Sequence, residues 1–333
     1  MALIPRLVLP VPILIVSAVL MMGLPSSVRA DAASGLQEGI RLFDQRQYPE
    51  ARKILEPLAT SGSSGAAAAY YMGRIAMAEE AYEAAASWFE KAVAAEPGSS
   101  DHHLWLGRAY GQQAMEASIF RQPGLASKTR VEFEKAVELN PNSINARMDL
   151  LQYFLKAPGF MGGGEDKALA QAAEISKRDA VVGHRASAMI HQDGGRIDEA
   201  EREYRAAAAV DPNRVEPHYW LGYFLQAAKL YEKAFEPFEQ VLRKDPDDRS
   251  ALYQVGRTAA LSGLRLERAE ECLKKYLKLA PKEGSPSPAW AHFRLGLVYQ
   301  KKGARDLARA EYAAAVSLDP SHEEANKALK ALR

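Results

Sequence analysis

Seven histidines, one cysteine and a scatter of acidic pairs are the side chains from which this chain could build a metal site or an active site. His102 and His103 are adjacent. Neighbouring side chains on a helix diverge by about 100°, so the two do not close on one ion. His184 and His191 are two helical turns apart and share a face, but no cysteine or carboxylate joins them at ligand spacing. Cys272 stands alone between Glu271 and Leu273 in an apolar-periodic stretch and reads as a small buried filler. The run Gly162-Gly163-Gly164-Glu165-Asp166-Lys167 has the glycines of a phosphate loop. It lacks the spacing and the hydroxyl after lysine, and it puts two acids where an anion would sit. Glu79-Glu80 and Asp247-Asp248 read as solvated helix starts or turns. No metalloprotease, nucleophile-elbow or paired-cysteine motif is present. The residues therefore predict no catalysis, no cofactor and no metal, and leave an enzyme with an unrecognised site as the third reading of function.

What must position the remaining side chains is a repeat. Gly39, Gly73 and Gly107 stand 34 residues apart, as do Gly222 and Gly256, and as do Pro212 and Pro246. Phe89-Ala92-Pro97, Phe133-Ala136-Pro141, Tyr204-Ala207-Pro212 and Tyr312-Ala315-Pro320 keep one common set of steps. A fixed period of this length means stacked supersecondary elements rather than one central core. Small residues mark where two helices approach closely, an aromatic fills the space they leave in the neighbouring layer, and proline ends the second helix. A proline every few dozen residues excludes one long coiled coil.

On these residues the chain resembles the tetratricopeptide repeat (TPR) family, and within it exported bacterial repeat proteins of unassigned activity. The resemblance implies an all-α fold, a right-handed α-solenoid of antiparallel helix pairs. With glycine at position eight, alanine at twenty and proline at thirty-two, eight repeats span 31–320. The first, third, fourth and seventh depart from the pattern, and 321–333 forms a charged capping helix. His191 falls at a core aromatic position of the fifth repeat and is expected to be buried.

The family further implies a concave face lined by the first helix of each repeat. Its positions five, nine and twelve hold Tyr70, Arg74, Met77, Leu104, Arg108, Gln152, Tyr219, Tyr223, Gln226, Tyr253, Arg257, Phe293 and Gln300. Rings supply contact area at low entropic cost, glutamine pairs with peptide amides and arginine forks onto carboxylates, a set suited to an extended peptide. The competing reading is that the arginines pair with acids of the next helix and the tyrosines pack between repeats. The Lys/Asn clamp of chaperone-binding members is absent. Two insertions, at 111–128 and 157–164, fall between the helices of the third and fourth repeats and are expected as loops on one edge. Their apolar residues Ile119, Phe120, Phe160 and Met161 either staple those loops together or meet a partner.

Charge adds one exclusion. The full chain carries a formal net charge of +1. Its first thirty residues hold two arginines and no acid, leaving 41 Lys+Arg against 42 Asp+Glu beyond them. That balance gives no electrostatic footprint for nucleic acid. Residues 1–30 read as a signal peptide: Arg6, an apolar stretch from Leu7 to Leu20, then Val28-Arg29-Ala30 before a cut at Asp31. The stretch is shorter than the ~20 residues a spanning helix needs and is broken by Pro10 and Pro12, so an uncleaved anchor, the one route to a membrane, is the alternative. The expectation is a periplasmic or secreted scaffold that binds a protein or peptide through its groove as an adaptor or assembly factor. The alternative is a structural subunit of an envelope complex that uses the insertion edge.

Overall fold

The computed structural model describes residues 26–60, 64–282 and 284–332, with side chains from residue 33 onward. All but the last five residues of the expected signal peptide lie outside that range. The chain divides into two compact parts, Met1–Gly98 and Ser99–Arg333. The first holds α1 (Ser26–Asp44), α2 (Tyr48–Leu58), α3 (Gly65–Ala78) and α4 (Tyr82–Ala95). The second runs α5 (Ser100–Glu116), α6 (Gln122–Leu139), α7 (Ile144–Lys156), α8 (Glu165–Ser176), α9 (Ala180–Asp193) and α10 (Ile197–Val210). It continues through α11 (Glu216–Ala227), α12 (Tyr231–Lys244), α13 (Arg249–Ser262), α14 (Leu266–Lys278), α15 (Pro288–Lys301), α16 (Arg305–Leu318) and α17 (Glu323–Ala331). No strand occurs among the described residues, and consecutive helices pack as antiparallel pairs in an all-α helical solenoid.

The sequence marks have direct physical counterparts. A Cβ built on Gly222 would lie 2.4 Å from Phe238 of the paired helix, and one on Gly73 would lie 2.6 Å from Phe89. Gly107 meets Phe133 and Gly296 meets Tyr312 in the same way, while Gly39 and Gly256 meet leucines. The residue at twenty-four therefore fills the gap inside its own repeat, not in the neighbouring layer as expected. Phe89, Phe238 and Tyr312 are fully buried there.

The second helices α4, α12 and α16 each end two residues before their proline, whose ring excludes helical backbone at the preceding position. Two residues after Pro97, Pro141 and Pro246, the side chains of Ser99, Ser143 and Asp248 accept from the backbone N–H three residues on and cap the next helix. Each such cap is worth about 1 kcal/mol. The turn inside a repeat needs one left-handed residue. Gly195 and Gly303 supply it at φ +70° and +76°, but Arg46, Glu80 and Lys229 adopt it at 57–59° without being glycine.

The two insertions behave differently from the loops expected. Residues 111–128 lengthen α5 to 17 and α6 to 18 residues, leaving only 117–121 as connector. Pro123 stands in the first turn of α6, where its missing N–H costs nothing. The second insertion forms one 3₁₀ turn, Gly159–Met161, closed by Gly162 at φ +90°. Gly163 follows where a Cβ would fall 1.7 Å from the Ala157 carbonyl oxygen, so only glycine fits. The expected final helix is α17, with His322 as its N-cap.

Candidate peptide-binding face

In the N-terminal part, Tyr70, Arg74 and Met77 lie on one side of α3, each half-buried. The Arg74 guanidinium donates to the Tyr70 hydroxyl at 2.9 Å and lies 5.3 Å from the Phe43 ring centre. These contacts hold the arginine against rings.

In the C-terminal part the expected surface sorts into exposed and buried members. Leu104, Tyr253 and Phe293 are buried, so none of them can touch a partner. Phe293 is covered by Trp290 and by His322 of the cap, and Tyr253 packs on Tyr276. Gln226 is also buried, and it has a different task. Its amide donates to Thr258 Oγ1 at 2.7 Å and to Gln254 Oε1 at 3.2 Å, while its carbonyl accepts from Arg257 at 2.7 Å. It joins α11 to α13 and aims the arginine.

Exposed or half-exposed on the same face are Arg108, Gln152, Tyr219, Tyr223, Arg257 and Gln300. Tyr219 and Tyr223 stack with ring centres 5.9 Å apart. The Tyr219 hydroxyl donates to Asp248, the α13 cap; burial and that carboxylate hold its proton on well above the usual phenol range. Gln300 accepts from the Tyr312 hydroxyl at 2.6 Å, and Gln192 accepts from Tyr204 at 3.3 Å, a glutamine-to-ring contact repeated in two repeats. Arg108 donates to Asp149 of the next repeat at 2.5 Å. Burial pushes the Asp149 carboxyl up, against the pull of that guanidinium. Arg108 thus pairs with an acid of the next repeat's first helix.

The insertion residues are not stapled to one another. Ile119, Phe120 and Phe160 are exposed, Phe120 to 89% and Phe160 to 85%, and Met115 joins them. Met161 is half-buried, and its carbonyl accepts from the Tyr153 hydroxyl at 2.8 Å. The 3₁₀ turn sits against α6: the two touch, and a Cβ on Gly162 would meet the Arg130 guanidinium. Lys167, the lysine of the glycine run, donates to the Gly162 carbonyl at 2.7 Å.

The histidines, which look scattered in the sequence, are in register. His103, His184, His218 and His292 all stand at position four. Three of them meet a glutamate at position twenty-three of the same repeat: Glu132 at 2.6 Å, Glu203 at 2.7 Å and Glu311 at 2.6 Å. Arg147 and Gln171 take the same places in the fourth repeat. Pro237 takes the glutamate's place in the sixth repeat, and burial lowers the His218 pKa. His191 is half-buried rather than core, and accepts from Arg196 at 2.9 Å. No group of three metal-ligating side chains occurs among the described residues.

Sequence profiles of the tetratricopeptide repeat match residues 36–100, 185–249 and 291–322, and the glycine–ring contacts recur inside them. The chain belongs to the tetratricopeptide repeat family. Among solved structures, a TPR protein from Parabacteroides merdae is 12% identical with a TM-score of 0.51, over 90% of this chain and 98% of its own. A thermophilic TPR protein of Thermus thermophilus is 19% identical with a TM-score of 0.47, over 59% of this chain and 99% of its own. The human IFIT1 dimer with m7Gppp-AAAA is 18% identical with a TM-score of 0.48, over 90% and 80% of the two chains. At 12% identity, the likeness to the Parabacteroides merdae protein speaks to fold alone. No curated protein matches the chain. TPR proteins are in general non-catalytic scaffolds for proteins or peptides.

Proposed function

We propose that this TPR protein is an exported, non-catalytic scaffold that holds a protein or peptide segment against the first-helix face of its C-terminal part. The observation that carries this reading is the exposed Tyr223, stacked on Tyr219 beside a guanidinium fixed from behind by buried polar groups. Fixed rings and forked donors lose little freedom on binding, which is how a small contact gains affinity. Tyr223→Ala combined with Gln152→Ala removes two side chains that reach the surface of this face. It is expected to abolish capture of partners from an envelope extract while helicity stays constant; undiminished capture refutes the reading. The sequence of residues 1–30 supports export, and N-terminal sequencing of periplasmic protein is expected to begin at Asp31. Recovery of the chain with residues 1–30 intact refutes a cleaved signal.

A second surface has its own support. Met115 at the end of α5, Ile119 and Phe120 in the connector after it, and Phe160 in the 3₁₀ turn expose large apolar side chains, where a monomer gains nothing by showing them. On this reading the chain is a structural subunit that docks through that edge. Phe120→Ser with Phe160→Ser is expected to release a partner that the groove variants retain; retention by both sets of variants refutes docking through either surface.

A further inference from the structure

The helices of the third repeat outgrow their neighbours. α5 and α6 run to 17 and 18 residues, against 13 and 12 for α7 and α8 of the fourth repeat. The level at which the fourth repeat stops is marked on both helices of the hairpin. A Cβ on Gly162, which closes the 3₁₀ turn, would meet the Arg130 side chain, and Gly111 of α5 stands opposite Thr129. Beyond that level α6 extends seven residues back to Gln122, a rise of about 10 Å. The hairpin therefore overhangs the fourth repeat as a two-helix finger that ends in residues 117–121. At its end Met115, Ile119 and Phe120 are exposed to 77%, 73% and 89%, and nothing lies within 4 Å of a Cβ on Gly124.

The charge of this finger is one-sided in a chain that otherwise balances. Across 111–131 Glu116 is the single acid, against Arg121, Lys128 and Arg130. Arg121 stands beside the apolar end and is exposed. Lys128, also exposed, lies six residues behind Gln122, about 9 Å back along the helix, with its ammonium 4.8 Å from the Tyr110 ring centre. In the fourth-repeat turn the charges cancel instead, Lys156 and Lys167 against Glu165 and Asp166.

Apolar groups that dock on a bilayer sink about 5–10 Å into the boundary between headgroups and acyl chains, while lysine and arginine stay at headgroup level. The finger presents those two levels at that spacing. A stable protein interface covers about 800 Å² on each partner, more than three side chains on a hairpin end supply. A bilayer asks for no such contiguous or complementary surface. We propose that the end of the α5–α6 hairpin docks on an anionic lipid bilayer, with Ile119 and Phe120 entering the acyl boundary and Arg121 and Lys128 meeting the headgroup phosphates. The proposal stands apart from the groove, and at the insertion edge it puts a bilayer where the second reading above puts a protein.

The test uses the full chain and vesicles of phosphatidylcholine, alone or with one quarter phosphatidylglycerol, brominated in their acyl chains. Residues 1–30 hold an apolar stretch of their own, so the readout is local. Phe120→Trp sets a reporter at the hairpin end, and its quenching by bromine is read against the unsubstituted chain. Quenching above that background is expected on the anionic vesicles and is expected to be lost on phosphatidylcholine alone. Phe160→Trp, at the foot of the overhang, is expected to be quenched less. Adding Arg121→Gln and Lys128→Gln to Phe120→Trp is expected to abolish its quenching on anionic vesicles, with helicity unchanged. No excess quenching of Phe120→Trp overturns the proposal, and equal quenching on both vesicles overturns the anionic surface. A chain whose Phe120→Trp reporter stays unquenched, while Phe120→Ser with Phe160→Ser releases a captured envelope protein, overturns the bilayer in favour of a protein at the same edge.

Discussion

Gly222→Ala adds one methyl group at the tightest contact of the sixth repeat. The new Cβ would lie 2.4 Å from Phe238 Cζ, where carbon atoms settle at about 3.5–4.0 Å, and the ring is fully buried with no room to retreat. Overpacking of this kind costs about 1–3 kcal/mol, and the overlap places it in the upper half. Replacing glycine by alanine inside a helix returns about 1 kcal/mol, so the net expectation is a loss of about 1–2 kcal/mol. Gly124 provides the control, since nothing lies within 4 Å of its Cβ position and Gly124→Ala is expected to stabilise by about 0.5 kcal/mol. Urea unfolding followed by the fluorescence of Trp220, on the same helix as Gly222, reads both variants. Pairing Gly222→Ala with Phe238→Leu is expected to recover part of the loss, with a coupling of about 1 kcal/mol. A neutral or stabilising Gly222→Ala, or strict additivity in the pair, refutes the view that glycine at this position exists to admit the ring.

Three further outcomes follow from the geometry. Lys229→Gly, at φ +59°, is expected to raise stability by about 0.5–1 kcal/mol, because a left-handed residue with a Cβ carries about 1–2 kcal/mol of strain and glycine returns part of it as chain entropy; thermal melts that drop or stay level contradict this. Glu270 bonds Lys274, Lys302 and Tyr299, and these, led by Lys274, hold its carboxyl down at about 2. A lowered carboxylate stabilises above its unfolded value of about 4.3 and loses that stability as pH falls toward 2. Glu270→Gln is therefore expected to cost about 1 kcal/mol at pH 7, after solvent screening, and nothing at pH 2; an equal deficit at both values rules out the charge network as its source. Cys272 is fully buried, and burial pushes its thiol up to about 12, so a thiol reagent at pH 8 is expected to label it only after urea is added, and rapid native labelling refutes the packing role.

The helix pairs were legible in the sequence because the closest approaches demand chemically distinctive residues: glycine under a ring, alanine at a crossing, proline at an end. Position five was not legible in the same way. Tyr70, Leu104, Tyr219, Tyr253 and Phe293 all occupy it, yet burial differs from one to the next, since it depends on what the following helix lays over them. Trp290 and His322 cover Phe293, and no rule of spacing announces that. The insertions misled for a local reason. Pro123 and Gly124 look like breakers, but proline is suited to the first turn of a helix, so the extra residues lengthened two helices instead of looping out. The stacking of first helices needed both views: the register comes from the sequence, and the Arg108–Asp149 contact that gives the register meaning comes from the structure.

The glycine-under-ring contacts carry a consequence for how the chain acquires its form. Except where the third repeat is lengthened, these contacts, and the glycine–leucine contacts that replace them in the first and seventh repeats, join residues sixteen or seventeen apart, as Gly222 does with Phe238 and Gly256 with Leu273, so the decisive contact of these hairpins closes over a short loop. Short loops close quickly and cheaply, and folding of such an array can begin at any hairpin and spread to its neighbours. A chain delivered end-first, from a ribosome or through a pore, can lock each hairpin as its second helix emerges, without waiting for its far end. The hairpin then needs only the next first helix to cover it, and assembly proceeds one repeat behind delivery.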